Sequence, residues 1–208
     1  METQSFENKD IQYAYISIHE FFSGFGLCGA IDYMESILHD AAIEKVWSKA
    51  APYESIYFID HMQQLCSAAF VIFNNRAQKN PAMVRPSGTD DTEMPEMKFP
   101  GHKYSIAHLW NNFPRNLTLR QYYNPYKAIK KFCSYLKESQ WKKVLEECVE
   151  YALGSYSIQE ALPSYDILII RLRLLQLIEA CHLIDVRINT EIDNCLNEKT
   201  NANNIVTE

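Results

Sequence analysis

The sequence predicts an all-α protein, a bundle of about six helices arranged as two pseudo-repeated helical hairpins that share one core. Three observations predict it. Apolar residues recur every three to four positions over long stretches, the period of an amphipathic helix. Only 6 Gly and 8 Pro occur in 208 residues, too few for the many tight turns that a strand architecture needs. Third, residues 52–76 align without gaps on residues 163–187, matching Pro52 to Pro163, Ile56 to Ile167, Ile59 to Ile170, Ala69 to Ala180 and Arg76 to Arg187.

The first helix is expected over 6–22, ending at Ser23-Gly24. The second spans 25–48, where Leu27, Ala30, Ile31, Met34, Ile37 and Leu38 form one stripe. Pro52 punctuates the chain and opens a third helix through residue 76. Its stripe is Ile56, Ile59, Leu65, Cys66, Ala69, Phe70 and Phe73. Residues 77–101 hold Pro81, Pro86, Pro95, Pro100, Gly88 and the acids Asp90, Asp91 and Glu93. Prolines remove backbone donors and break helices, so this stretch reads as an acidic surface loop or linker.

A short helix is expected over 104–112. Asn124-Pro125 has the composition of a helix start, with Asn as cap and Pro at the first position. The helix it opens carries Tyr126, Ile129, Phe132, Cys133 and Leu136 on one face. Another covers 141–153 and stops at Gly154. Ser157 and Glu160 have capping-box spacing. The last helix, 163–189, is apolar nearly all round and is therefore expected to be the central buried element. Residues 198–208 read as a frayed polar tail. The organisation is thus a first helical half (1–76), a linker (77–101), a second half (102–197) and a tail, forming one compact domain.

Phe22-Ser23-Gly24-Phe25 also resembles Tyr123-Asn124-Pro125-Tyr126. If the halves are duplicated, each hairpin covers the apolar stripe that the other leaves bare.

The polar, acidic first ten residues carry no basic region followed by an apolar run, so no signal peptide is expected. Charges such as Asp60, Arg171 and Glu179 interrupt the longest apolar stretches, so no membrane span is expected either. The six cysteines, Cys28, Cys66, Cys133, Cys148, Cys181 and Cys195, include no C-x-x-C pair, and no Cys–His cluster has zinc spacing. Most fall on apolar helix faces, where a thiol acts as a small hydrophobe. Reduced thiols and a cytoplasmic location follow as expectations.

Glu179 and His182 form a Glu-x-x-His, the spacing of di-metal helical bundles, which carry it on two helices. It occurs once here, and the aligned Ala68 to Val71 offers neither ligand, so no metal or other cofactor is expected. The chain has no Gly-x-Ser-x-Gly, phosphate-binding Gly loop or His-Glu-x-x-His. Arg171 and Arg173 are odd in an otherwise apolar helix. They are read either as structural ion pairs and arginines that reach the surface, or as part of a polar core cluster with Asp60, His61, Glu179 and His182.

Charge is distributed unevenly. Residues 102–143 carry nine basic residues and one acid, net +8, against −14 for the rest and −6 overall. Tyr104, Trp110, Phe113, Tyr122, Tyr123, Tyr126 and Trp141 are interleaved with the basic residues. Cations for phosphates and aromatics for stacking are what a nucleic-acid surface uses. The same segment also suits an acidic partner, or the chain's own acidic loop. The candidate contacts are Arg115, Arg120, Lys127, Lys130, Lys131, Lys142 and Lys143. The first expectation is a non-enzymatic helical interaction protein in a regulatory or accessory role, binding a protein partner or itself. Nucleic-acid binding through 102–143 is the alternative, and an enzyme built on the polar set around Arg171 and His182 comes third.

Overall fold

The computed structural model describes residues 9–42, 51–75, 113–154 and 166–205, with side chains of the last helix through residue 188. Within these the chain forms six helices and no strand. They are α1 (Lys9–Ala42), α2 (Pro52–Asn74), α3 (Leu119–Tyr123), α4 (Tyr126–Tyr135), α5 (Glu138–Leu153) and α6 (Ile167–Ile205). The expected helix at 104–112, the capping box at Ser157 and the whole 77–101 linker lie outside the described residues.

α1 joins two helical segments across a kink at Gly26 (φ 62°, ψ 171°), two residues beyond the expected stop. That backbone region is accessible essentially to glycine alone. A Cβ at Gly26 meets nothing within 4 Å, so any cost of substitution comes from the backbone. Gly26→Ala is expected to lower stability by about 2 kcal/mol, read from chemical denaturation.

α2 begins at Pro52, where the missing N–H costs nothing. Its buried stripe is Ser55, Phe58, Ile59, Met62, Leu65, Cys66, Ala69 and Ile72. Ile56, expected inside, is 47% exposed. It lies about 100° from the stripe that Ser55 and Phe58 define. By length and composition α2 is apolar enough to cross a membrane, but half of that window is buried, as in the core helix of a bundle.

α1 and α2 run antiparallel, with Tyr33 donating to Glu54 at 3.1 Å and Phe21 meeting Phe58 further along. α6 is antiparallel to α1: Arg171 pairs with Glu35, Phe22 meets the His182 ring, and His19 bonds Asp185. α5 is antiparallel to α2, with Gln63 donating to Glu146 and Ser67 to Glu138. α4 packs on α2 and α6.

The burial expected of α6 is met over residues 174–181, which are buried all round, but not in its first turns. α1 touches α2, α5 and α6, and α2 also reaches α4, whereas α6 touches mainly α1 and α4. The first turns of α6 are exposed at Leu168 (71%) and Leu172 (40%), and continuous burial starts at Leu174. α6 also continues to Ile205, through most of the stretch read as a tail. No Gly or Pro after residue 189 interrupts it. One hydrophobic cluster takes residues from α1, α2, α4, α5 and α6, so both halves contribute to one core.

Candidate functional site

The basic segment folds as a corner of three helices. Thr118 and Gln121 form a capping box: the Gln121 side chain accepts the Thr118 N–H at 2.9 Å, and Thr118 Oγ1 accepts the Gln121 N–H at 3.4 Å. α3 then leads through Asn124-Pro125 into α4. Asn124 does not cap α4 with its side chain, as its composition predicts. The Asn124 carbonyl accepts from the Lys127 N–H at 3.0 Å, and the side-chain Oδ1 is buried without a partner.

α4 buries Ala128, Ile129, Phe132 and Cys133. The opposite face exposes Lys127, Lys130 and Lys131. Arg115 and Arg120 are also exposed, before and within α3. Among the described residues none of these five cations has a carboxylate partner. The other two candidates differ. Lys142 pairs with Glu138 at 2.9 Å and Lys143 with Glu147 at 3.5 Å, both one turn along α5.

Of the described aromatics expected to stack, only Trp141 is buried, and Phe113, Tyr122, Tyr123 and Tyr126 are half-buried. Trp141 is fully buried against Phe132, with ring centroids 4.2 Å apart. Tyr126 shares a 3.3 Å hydrogen bond with the hydroxyl of Tyr15, and the Arg187 guanidinium lies 4.9 Å over the Tyr122 ring. Phe113 packs on Tyr122. Tyr104 and Trp110 lie outside the described residues.

The polar set does not assemble: no hydrogen bond or ion pair joins any two of its six members. Asp60 is exposed, and His61 meets the Tyr57 carbonyl at 2.8 Å and lies tilted against the Tyr57 ring. Arg171 is exposed and pairs with Glu35, while Arg173 donates to Gln176 at 3.0 Å. Arg171 thus reaches the surface, whereas Arg173 is half-buried and its Nε is buried without a hydrogen-bond partner among the described residues. Glu179 makes no hydrogen bond to His182 and accepts the backbone N–H groups of Arg115 and Asn116, each at 2.7 Å. Burial raises its carboxyl above the usual range, against the opposing pull of these N–H donors. Spacing alone did not reveal this role, because the donors are backbone groups some 60 positions upstream.

His182 sits edge-on to Phe22, and its Nδ1 has no hydrogen-bond partner. Burial lowers its pKa from 6.5 to about 4. A depressed histidine binds its proton less readily folded than unfolded. Its contribution is complete above pH 6.5 and is lost as pH falls towards 4, by about 3 kcal/mol at the limit. The raised Glu179 carboxyl has the opposite slope, losing stability as pH rises through its native pKa. His182→Gln is expected to remove most of the acid-side loss when denaturation midpoints at pH 7 and pH 4.5 are compared. An unchanged difference would mean that His182 is hydrated in the fold.

Cys66, Cys148 and Cys181 are buried free thiols, and burial pushes Cys148 up to about 12. They stay protonated and act as core hydrophobes. Among the described residues no three His, Cys, Asp or Glu side chains are placed to hold a metal ion. A groove of about 750 Å³ runs between α1 and α2 beside α5. Its charged lining is Asp10, Asp60 and the paired Lys142, with no His or Cys to serve as base or nucleophile near neutral pH. No family model, curated protein or solved structure matches the chain.

Proposed function

We propose that this is a non-enzymatic interaction protein that presents the outer face of α4 to an acidic surface of a partner protein. The observation that carries the reading is the set Lys127, Lys130 and Lys131, exposed without carboxylate partners among the described residues on a helix whose other face is fixed in the core. Arg115 and Arg120 extend the same charge. Clustered cations of one sign steer an oppositely charged partner and set orientation. Nucleic acid would use the same cations, but Trp141 is buried in the core, the Tyr126 hydroxyl is bonded to Tyr15, and the chain carries a net charge of −6.

The test compares two fluorescent probes by anisotropy at low salt, a poly-glutamate peptide and single-stranded poly(U). The peptide is expected to bind, to weaken as salt rises, and to be lost in Lys127→Glu/Lys130→Glu/Lys131→Glu. Undiminished peptide binding by that variant would refute the α4 face. Poly(U) binding tighter than peptide binding, and lost in the same variant, would put nucleic acid in the partner's place.

A further inference from the structure

Beside the α4 lysines lies a cavity of about 190 Å³. Ile72 and Phe73, at the end of α2, form one wall, and Tyr126 and Ile129 of α4 form another. Lys127 and Lys130 stand at its edge, and Asn124 completes the lining. The buried Asn124 Oδ1 has no hydrogen-bond partner, although a buried acceptor normally finds one. The volume is below the roughly 300–1,000 Å³ of small-molecule sites and far too small for an acyl chain. It suits one large apolar side chain. Interfaces concentrate affinity in such anchors, seated in a pocket and ringed by polar contacts.

We propose that the α4 face recognises an acidic peptide segment carrying one large aliphatic anchor. The anchor enters the cavity between α2 and α4, and its flanking carboxylates meet Lys127 and Lys130. This rests on the proposed function above and specifies its partner's chemistry. Two features together carry it: an apolar side-chain-sized cavity, and unpaired cations at its rim.

The experiment measures binding of two seven-residue peptides, each with a leucine or an alanine at the centre of six acidic residues. The leucine peptide is expected to bind at least tenfold more tightly, about 1.4 kcal/mol. A photo-crosslinking leucine analogue at that position is expected to label residues 124–130. Asn124→Leu, which fills the cavity while sacrificing no side-chain hydrogen bond of Asn124 among the described residues, is expected to make the two peptides equivalent. The wild-type comparison stands by itself should that variant fail to fold. Equal binding of the two peptides, still abolished by lysine reversal, would overturn the anchor while leaving the acidic-partner reading intact. No binding of either peptide would remove both. Binding that emerges only in Asp90→Asn/Asp91→Asn/Glu93→Gln would overturn the separate partner in favour of the chain's own acidic segment.

Discussion

Glu179→Ala is expected to destabilise the protein by about 4 kcal/mol and to release residues 113–118 from the bundle. The Glu179 side chain is fully buried, yet among the described residues no cation pairs with it. It accepts the N–H groups of Arg115 and Asn116 at 2.7 Å each, and the Asn116 side-chain amide at 2.9 Å. Alanine strips an acceptor from three donors at once. Each orphaned, partly buried donor costs about 1–3 kcal/mol, and the lower half of that range already gives the stated loss. Hydrogen exchange at the Arg115 and Asn116 amides is expected to rise with it. Glu179→Gln retains one oxygen but turns an NH₂ towards the donors, so its loss is expected to be about half. Added salt is expected to leave these differences unchanged, because no ion pair is broken. A loss below about 1 kcal/mol, with exchange unaltered, would mean that the single bond from Gln176 to the Asn116 carbonyl holds the segment.

Residues whose environment is set by their own helix were the legible ones. The α2 stripe from Ile59 to Phe70 is buried where the three–four spacing puts it, and Ile56 failed only through a one-residue error in helical phase. The helix break near Gly24 was readable because glycine is the residue that tolerates a positive φ, and it is displaced only to Gly26. The capping box at Thr118 was present in the sequence as T-x-x-Q and would have located α3. Trp141 was readable too, since it heads the spacing Val144, Leu145, Cys148 and Ala152 that α5 buries. Grouping it with basic neighbours obscured that periodicity. The apolar composition of α6 misled in another way: composition reports how much surface prefers burial, whereas the neighbouring helices decide which faces are covered, and Leu168 is exposed on a face they leave open although Ile170 is buried. Glu179 is the extreme case. Glu-x-x-His spacing fixes two side chains on one helix, but the partners that Glu179 meets are main-chain N–H groups, which leave no mark in residue identity. The cavity beside α4 is equally silent, since it forms where two helices fail to close.

The position of the α4 lysines depends on Trp141, which makes its removal the second large effect. α4 ends at Tyr135, so the carbonyl of Phe132 is among the last four, which lack a helical partner. The Trp141 indole N–H donates to that carbonyl at 3.2 Å, while its ring stacks on Phe132 at an interplanar angle of 13°. Phe132 in turn meets Phe70 of α2. One side chain thus satisfies the end of α4, fills the corner with α5 and ties both to the core. Trp141→Ala is expected to cost about 4 kcal/mol and, under conditions where the variant remains folded, to weaken acidic-peptide binding by loosening α4. Trp141→Phe keeps most of the ring contact and loses the hydrogen bond, at an expected cost of about 1–2 kcal/mol, with peptide affinity retained. The ratio between the two variants separates packing from hydrogen bonding. Equal losses for alanine and phenylalanine would place the effect in the N–H to carbonyl bond. Full peptide affinity in a folded Trp141→Ala would show that the lysine face holds its shape without the corner, and α4 would then be anchored through α2 and α6 alone.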